Sequence, residues 1–173
     1  MSNLQRLLES DIMKMHPLNE DHRNVLYQAA SDPLVWAQHP KHDRWKREVF
    51  DDFFDVALKN NLAFATEDKS SGEIIGSSRY KLHNVVDSAV EIGWTFLARS
   101  HWGGKWNAEM KHLMITNAHE SYKDVLLCID ADNIRSARAA EKIGAELITD
   151  SEDPLFDKRL NYLTYKVSKR IKQ

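Results

Sequence analysis

Apolar residues recur along this chain with two periods, and the changes between them mark out its elements. Val90 to Leu97 alternates as a half-buried strand does, and it is followed by a glycine pair at Gly103-Gly104. From Trp106 the period lengthens, with Trp106, Met110, Leu113, Met114 and Ala118 on one helical face. Trp45, Val49, Phe53 and Ala57 repeat every fourth residue, widened by Phe50 and Phe54, which predicts a helix from Asp43 to about Lys59 ending at Asn60-Asn61. On this reading Trp45 is core. Leu62 to Glu67 and Glu73 to Leu82 read as strands joined by a hairpin turn through Gly72, and Asn84 to Ser88 as a second turn. Asp124 to Asp130 is an apolar strand, followed by a helix from Asn133 to Ile143 that stops at Gly144.

Weaker signals complete the order. Residues 1–10 read as a short helical lead-in, and Asp11 to Pro17 as a first strand. Asn19 is the expected N-cap of a helix through Ala30, with Asp21 supporting its first turn. Asp32-Pro33 breaks the chain, and residues 34–42 read as an irregular loop. Short strands at Glu146 to Thr149 and Asn161 to Val167 flank a polar turn. The fold class is therefore α/β, a mixed sheet in the order strand, two helices, three-strand meander, helix, strand, helix, two strands. The helical crossover at 106–120 should make strands 90–97 and 124–130 parallel neighbours. Without repeats or linkers, residues 1–173 are expected to form a single domain.

The chemistry concentrates between Glu91 and Gly144. Glycines before a helix leave backbone N–H groups uncovered at the positive end of the helix dipole, an arrangement that favours a phosphate. The hexamer there is Trp102-Gly103-Gly104-Lys105-Trp106-Asn107, with Glu109 beyond it. A second signature follows at Asn133-x-x-Ser136 and Glu141-Lys142-Ile143-Gly144-Ala145.

These two motifs, in this order and separated by a helix and a strand, resemble the GNAT acetyltransferase superfamily across nearly the whole chain. The nearest branch is similar to the ribosomal-protein N-terminal acetyltransferases. The family's loop is Gln/Arg-x-x-Gly-x-Gly/Ala, and this chain departs from it at Trp102, Lys105 and Asn107. Ala145 replaces the usual aromatic of the second motif. The resemblance implies acetyl-coenzyme A as donor and an amine as acceptor. It implies that Trp94, Thr95, Phe96 and Leu97 offer backbone to the pantetheine, with an N–H of this stretch polarising the thioester carbonyl. The diphosphate would lie on the amides of residues 102–107. Arg99 and Arg138 are candidates for the adenosine phosphates.

Glu91 is the candidate base that frees the attacking amine, directly or through water; the competing reading pairs it with Arg79. The tyrosine that many members place four residues after the motif serine is here Ala140, so Ser136 is the candidate proton donor to the thiolate. Ser136 can equally bond its own helix backbone. Asn133 reads first as an N-cap and second as a coenzyme contact. Trp36 and His39 fall where the acceptor cleft is walled, and Tyr80 and His83 end the strand beside it. The run Asp51-Asp52…Asp55 reads as a solvated face rather than a trap for cations.

Composition narrows the alternatives. The formal net charge of −2 carries no footprint for nucleic acid, and no apolar run reaches membrane-spanning length. The basic ending, Lys166 to Lys172, reads as a solvated tail. The single cysteine, Cys128, reads as a packed core thiol in a reducing compartment, and hence a cytoplasmic protein. The eight histidines lack metal-ligand spacing, so no metal is expected. A free strand edge or the loop 150–160 offers a surface for a homodimer. A non-catalytic coenzyme A-binding module is the competing function, motivated by the missing tyrosine and the altered loop. A ligand-free interaction domain is disfavoured by Gly103-Gly104.

Overall fold

The computed structural model describes residues 4–169. Its strands are β1 (Leu8–Glu9), β2 (Met13–Pro17), β3 (Ala63–Asp68), β4 (Ile74–Leu82), β5 (Ala89–Leu97), β6 (Asp124–Asp130), β7 (Glu146–Ile148) and β8 (Tyr162–Ser168). The helices are α1 (His22–Ala30), α2 (Pro33–Trp36), α3 (Arg47–Asn60), α4 (Trp106–Ala118) and α5 (Ile134–Lys142). One sheet runs β1-β2-β3-β4-β5-β6-β8-β7. All its neighbours are antiparallel except β5 and β6, which are parallel as the intervening helix requires.

The sheet separates two apolar layers. On one face Met110 and Met114 of α4 and Ala140 of α5 pack against Phe64, Tyr80, Val90 and Ile92. On the other, Trp36, Phe50 and Phe54 pack with Leu26, Ala65 and Phe96. Phe50 and Phe54 are both essentially inaccessible, so each contributes roughly 1.5–3 kcal/mol of transfer free energy.

Four local expectations are corrected. The lead-in is not helical where it is described: Leu8 and Glu9 form a strand on β2, while residues 1–3 lie outside the described residues. Helix α1 begins at His22 with Asp21 at its N-cap, and Asn19 serves instead as a backbone turn, its carbonyl accepting from His22 N–H at 3.2 Å. Within the expected loop 34–42, Pro33–Trp36 is a helical turn, because Asp32 caps it through Leu34 N–H and proline suits its first position. Helix α3 starts four residues later than Asp43, so Trp45 lies outside it and is 36 % exposed, while Phe50, Phe54 and Ala57 form the buried stripe. Its end is as expected, with Asn61 in the left-handed region at φ 52°. The basic ending is described only to Lys169; Arg170 to Lys172 lie outside the described residues.

The even alternation expected of Val90–Leu97 is broken in the middle. Ser77 pairs with Phe96 and Arg79 with Gly93, so β5 carries one extra residue opposite β4. An inserted residue exchanges the faces of everything beyond it. Accordingly Val90, Ile92 and Leu97 share the α4 face, while Phe96 points to the other layer.

Candidate active site

Strands β5 and β6 pair only at Ala89↔Asp124, Val90↔Val125 and Glu91↔Leu126, although both strands continue well past this point. The bulge lies just beyond the point of parting. Trp94 holds φ 54°, a region disfavoured for bulky side chains, and β5 turns away from β6 after Glu91. A cavity of about 530 Å³ opens between the strands and reaches Trp94 to Leu97, Gly103-Gly104 and the starts of α4 and α5.

At one end lies the glycine turn. Gly103 has φ +71°, and no side chain caps α4, whose N-cap residue is Lys105. Gly104 and Asn107 face the cavity, so the open end of this helix is directed into it. Trp102 also lines the cavity, with its indole Nε1 donating to the Leu97 carbonyl at 2.9 Å. Lys105 and Trp106 do not line it: the Lys105 Nζ lies 6.0 Å from the Trp106 ring, which packs on His101 at 4.7 Å. Arg99 is paired with Asp32, and Arg138 is exposed outside the cavity. The cation at this end is Arg135, stacked 4.1 Å from the Trp102 ring and donating to the Val35 carbonyl at 3.3 Å. Asn133 caps α5, its Oδ1 accepting from Ser136 N–H at 3.3 Å, and both residues border the cavity.

At the middle, Glu91 is 7 % exposed and its Oε2 accepts from Lys81 Nζ at 3.3 Å, so its ion-pair partner is Lys81 and not Arg79. Across the cleft stands Lys111 of α4, also lining the cavity and 8 % exposed. Its Nζ donates to Thr95 Oγ1 at 2.6 Å, and Thr95 Oγ1 lies 2.7 Å from Ser78 Oγ, a chain that ties the bulge to α4. Burial pushes the Lys111 ammonium down to about 7, against a smaller opposing effect of the Glu91 charge. Cys128 also lines the cavity, but burial pushes its thiol up, so it stays protonated and is no nucleophile.

At the far end, Trp36 is 1 % exposed, with its Nε1 donating to the Ala30 carbonyl at 2.8 Å and its ring 4.9 Å from Phe96. His39 stands edge-on to it at 5.7 Å, beside Arg44. Burial, then the Arg44 charge, holds the His39 imidazole down at about 4, so it is neutral at physiological pH. Trp36, His39 and Arg44 all line the cavity; Tyr80 and His83 do not. Tyr80 lies on the α4 side of the sheet, 1 % exposed, its hydroxyl donating to the Met114 carbonyl at 2.6 Å. His83 Nδ1 accepts from Val85 and Val86 N–H and so shapes the β4–β5 turn. The acidic run on α3 is engaged by arginines, Asp51 by Arg47 and Arg23 and Asp55 by Arg23.

Lys111, Arg135 and Arg44 escaped the sequence reading. Lys111 had a signal: it follows Asn107 by one helical turn and sits beside Met110 and Met114, a charge on the edge of an apolar stripe. Arg44 had none, because its position depends on how the α2–α3 loop folds back. Among the described residues no group of three or more His, Cys, Asp or Glu could hold a metal ion, and no helix is long and apolar enough to cross a membrane.

Three solved structures share this architecture. A GCN5-related N-acetyltransferase from Brucella melitensis superposes with a TM-score of 0.76 at 21 % identity, covering 95 % of this chain and 79 % of that one. A probable GNAT-family acetyltransferase from Chromobacterium violaceum gives 0.76 at 20 %, covering 94 % and 84 %. An acetyltransferase (GNAT family) from Bacillus anthracis gives 0.74 at 13 %, covering 94 % and 98 %. Among curated proteins none matches the chain. At such identities the likeness speaks for the fold alone. The sequence itself matches the family described as "Acetyltransferase (GNAT) domain" over residues 13–146, and the chain belongs to that family.

Proposed function

We propose that this protein is an acetyl-coenzyme A-dependent N-acetyltransferase that moves an acetyl group directly to a primary amine. One observation carries the proposal. A single cavity leads from the uncapped start of α4, between the parted strands β5 and β6, to a buried carboxylate at Glu91 and an aromatic chamber at Trp36.

The residues present fit the coenzyme. Backbone released from the β5–β6 ladder at Trp94 to Leu97 can pair with the pantetheine amides as a strand edge pairs with a peptide. Gly103, Gly104 and Asn107 line the end suited to the diphosphate, and Arg135 stands there in place of Arg138. Bound acetyl-coenzyme A supplies the activated acetyl group as a thioester. Glu91 would take the proton of the incoming ammonium, directly or through water, and Lys81 keeps the carboxylate paired until then. A backbone N–H at the bulge would polarise the carbonyl. Ser136 borders the cleft and is the proposed proton donor to the thiolate, since Ala140 offers none.

The acceptor is a primary amine of a peptide or protein N-terminus, or of a small metabolite. The Trp102-Gly103 loop with Asn107 and Glu109 supports the ribosomal-protein branch. One observation favours the competing reading, a coenzyme A-binding module without turnover: Ala140 is buried at the cleft, where many relatives place a tyrosine.

The test is release of free thiol from acetyl-coenzyme A with a panel of primary amines, for the wild type and for Glu91→Gln and Ser136→Ala. Amine-dependent release, reduced about 10²-fold or more by Glu91→Gln with coenzyme binding kept, supports the enzyme. Binding without amine-dependent release of thiol would establish the module instead.

A further inference from the structure

Two guanidinium groups near the acceptor end of the cavity have no carboxylate partner among the described residues: Arg44 on its wall, and Arg79, which does not line it. Arg79, 7 % exposed on β4, stacks 3.9 Å from the Trp94 ring and 5.5 Å from Phe53. Its buried Nη1 has no hydrogen-bond partner among the described residues. Arg44 lines the cavity and lies 4.4 Å from the Phe53 ring and 5.5 Å from Trp36. Both are pushed down to about 10, chiefly by burial, and Arg79 further by the charge of Arg44. The acids nearest in effect, Asp43 for Arg44 and Glu91 for Arg79, form no ion pair with them; Glu91 is engaged by Lys81. Of the other arginines that line the cavity, Arg159 is taken by Asp157 and Arg135 donates to the Val35 carbonyl.

His39 does not complete Arg44 either. Its Nδ1 accepts from Lys41 N–H at 2.9 Å, and its Nε2 lies 3.2 Å from Arg44 Nη1. A neutral imidazole has one acceptor nitrogen, so it cannot serve both donors. The shorter contact takes it, and Arg44 is left with unanswered N–H groups at the cavity wall. Contacts of these guanidiniums with aromatic rings consume none of their N–H donors. A buried guanidinium without a counter-ion, close enough to feel a second cation, is costly, and the fork of guanidinium N–H donors matches a carboxylate.

We propose that the acceptor is an amine bearing a carboxylate, an amino acid whose carboxylate is received by Arg44 with Arg79 behind it, while its amine faces Glu91. This substrate class rests on the transfer reading above. The layout is complementary to a zwitterion: an acid at Glu91, cations beyond it, and aromatic walls between them. It repels polyamines, which would bring positive charge to Arg44 and Arg79.

The experiment compares acetylation of the free L-amino acids with acetylation of their carboxamides, which keep the amine and side chain and lose the negative charge. Simple alkylamines and spermidine are included in the panel. The best amino acid should exceed its amide by about 100-fold in kcat/KM, the size of a lost charge-assisted pair. Arg44→Gln should erase the difference between acid and amide, mostly through KM, and Arg44→Lys should restore part of it. A merely structural role would lower both substrates together. Amides or alkylamines turned over as well as the acids, or turned over while no amino acid is, would overturn the substrate class and leave acetyl transfer standing. No thiol release with any amine would sink both readings.

Discussion

Lys111 offers a sharp quantitative test, because a lysine buried beside a cleft must show its cost in the pH dependence of stability. Its ammonium titrates near 7 in the folded protein, against an ordinary value of 10.5. At about 1.36 kcal/mol per pK unit, that displacement corresponds to roughly 5 kcal/mol of disfavoured charge, an upper bound where water enters the cleft. The sign follows from proton counting. Between pH 7 and 10.5 the unfolded chain holds a proton at Lys111 that the folded chain lacks, so stability rises with pH across that window. Below pH 7 both states are protonated and the burial penalty stands in full. Lys111→Met keeps the volume and the apolar stem, removes the charge, and loses the bond to Thr95, worth about 1 kcal/mol. The variant should therefore be more stable than wild type by about 2–4 kcal/mol at pH 6. That advantage should shrink steadily above pH 7 and be gone or reversed by about pH 10. Urea titrations of both proteins at half-unit intervals of pH read this directly. A difference between them that stays constant from pH 6 to pH 10 would refute the burial argument.

Other perturbations probe the geometry of the cleft and the residues that fall outside it. A Cβ added at Gly76 would stand 2.2 Å from the Phe96 carbonyl oxygen and 3.1 Å from the Leu97 Cα, both backbone atoms at the bulge. Gly76→Ala should accordingly destabilise by about 3 kcal/mol or more in thermal or chemical melts; an unchanged melting temperature would contradict the close approach. Tyr80→Phe removes a buried hydroxyl bonded to the Met114 carbonyl and costs roughly 1–2 kcal/mol. Turnover by that variant should stay within about twofold of wild type, and a selective rise in KM would return Tyr80 to the acceptor pocket. Asn133→Ala should cost about 1 kcal/mol through loss of the α5 cap, read from the same melts.

Periodicity revealed most of the architecture because it reports burial. The starts of β6 and α4, at Asp124 and Trp106, lie where the apolar pattern changes, and Asn61 and Gly144 stop their helices as small or polar residues with positive φ do. The failures lie where tertiary contact overrides local pattern. Trp45 fits the four-residue repeat, yet the helix begins beyond it, so its period describes a loop residue. The bulge at Trp94 was invisible because Val90–Leu97 looks like an ordinary alternating strand, and only pairing with β4 exposes the extra residue. The candidate site divides in the same way. Residues proposed to act through the backbone, Trp94 to Leu97 and Gly103-Gly104, border the cavity because their positions follow from the motif and the strand. Long side chains followed no such rule: Arg138 is exposed outside the cavity while Arg135, three residues earlier on the same helix, lines it, and Tyr80 lies on the opposite face of the sheet from Trp36. Arg44 and Lys111 became part of the cavity only through packing between elements distant in sequence.

The most direct measurement is calorimetric titration of the protein with acetyl-coenzyme A, with desulfo-coenzyme A and adenosine titrated in parallel. The cavity predicts micromolar binding of acetyl-coenzyme A, about −8 kcal/mol, similar binding of desulfo-coenzyme A, and far weaker binding of adenosine, since in the proposed site the pantetheine would lie between β5 and β6 and the diphosphate on the α4 turn. No detectable heat with acetyl-coenzyme A at millimolar concentration would contradict the donor site, and the proposed transfer reaction with it.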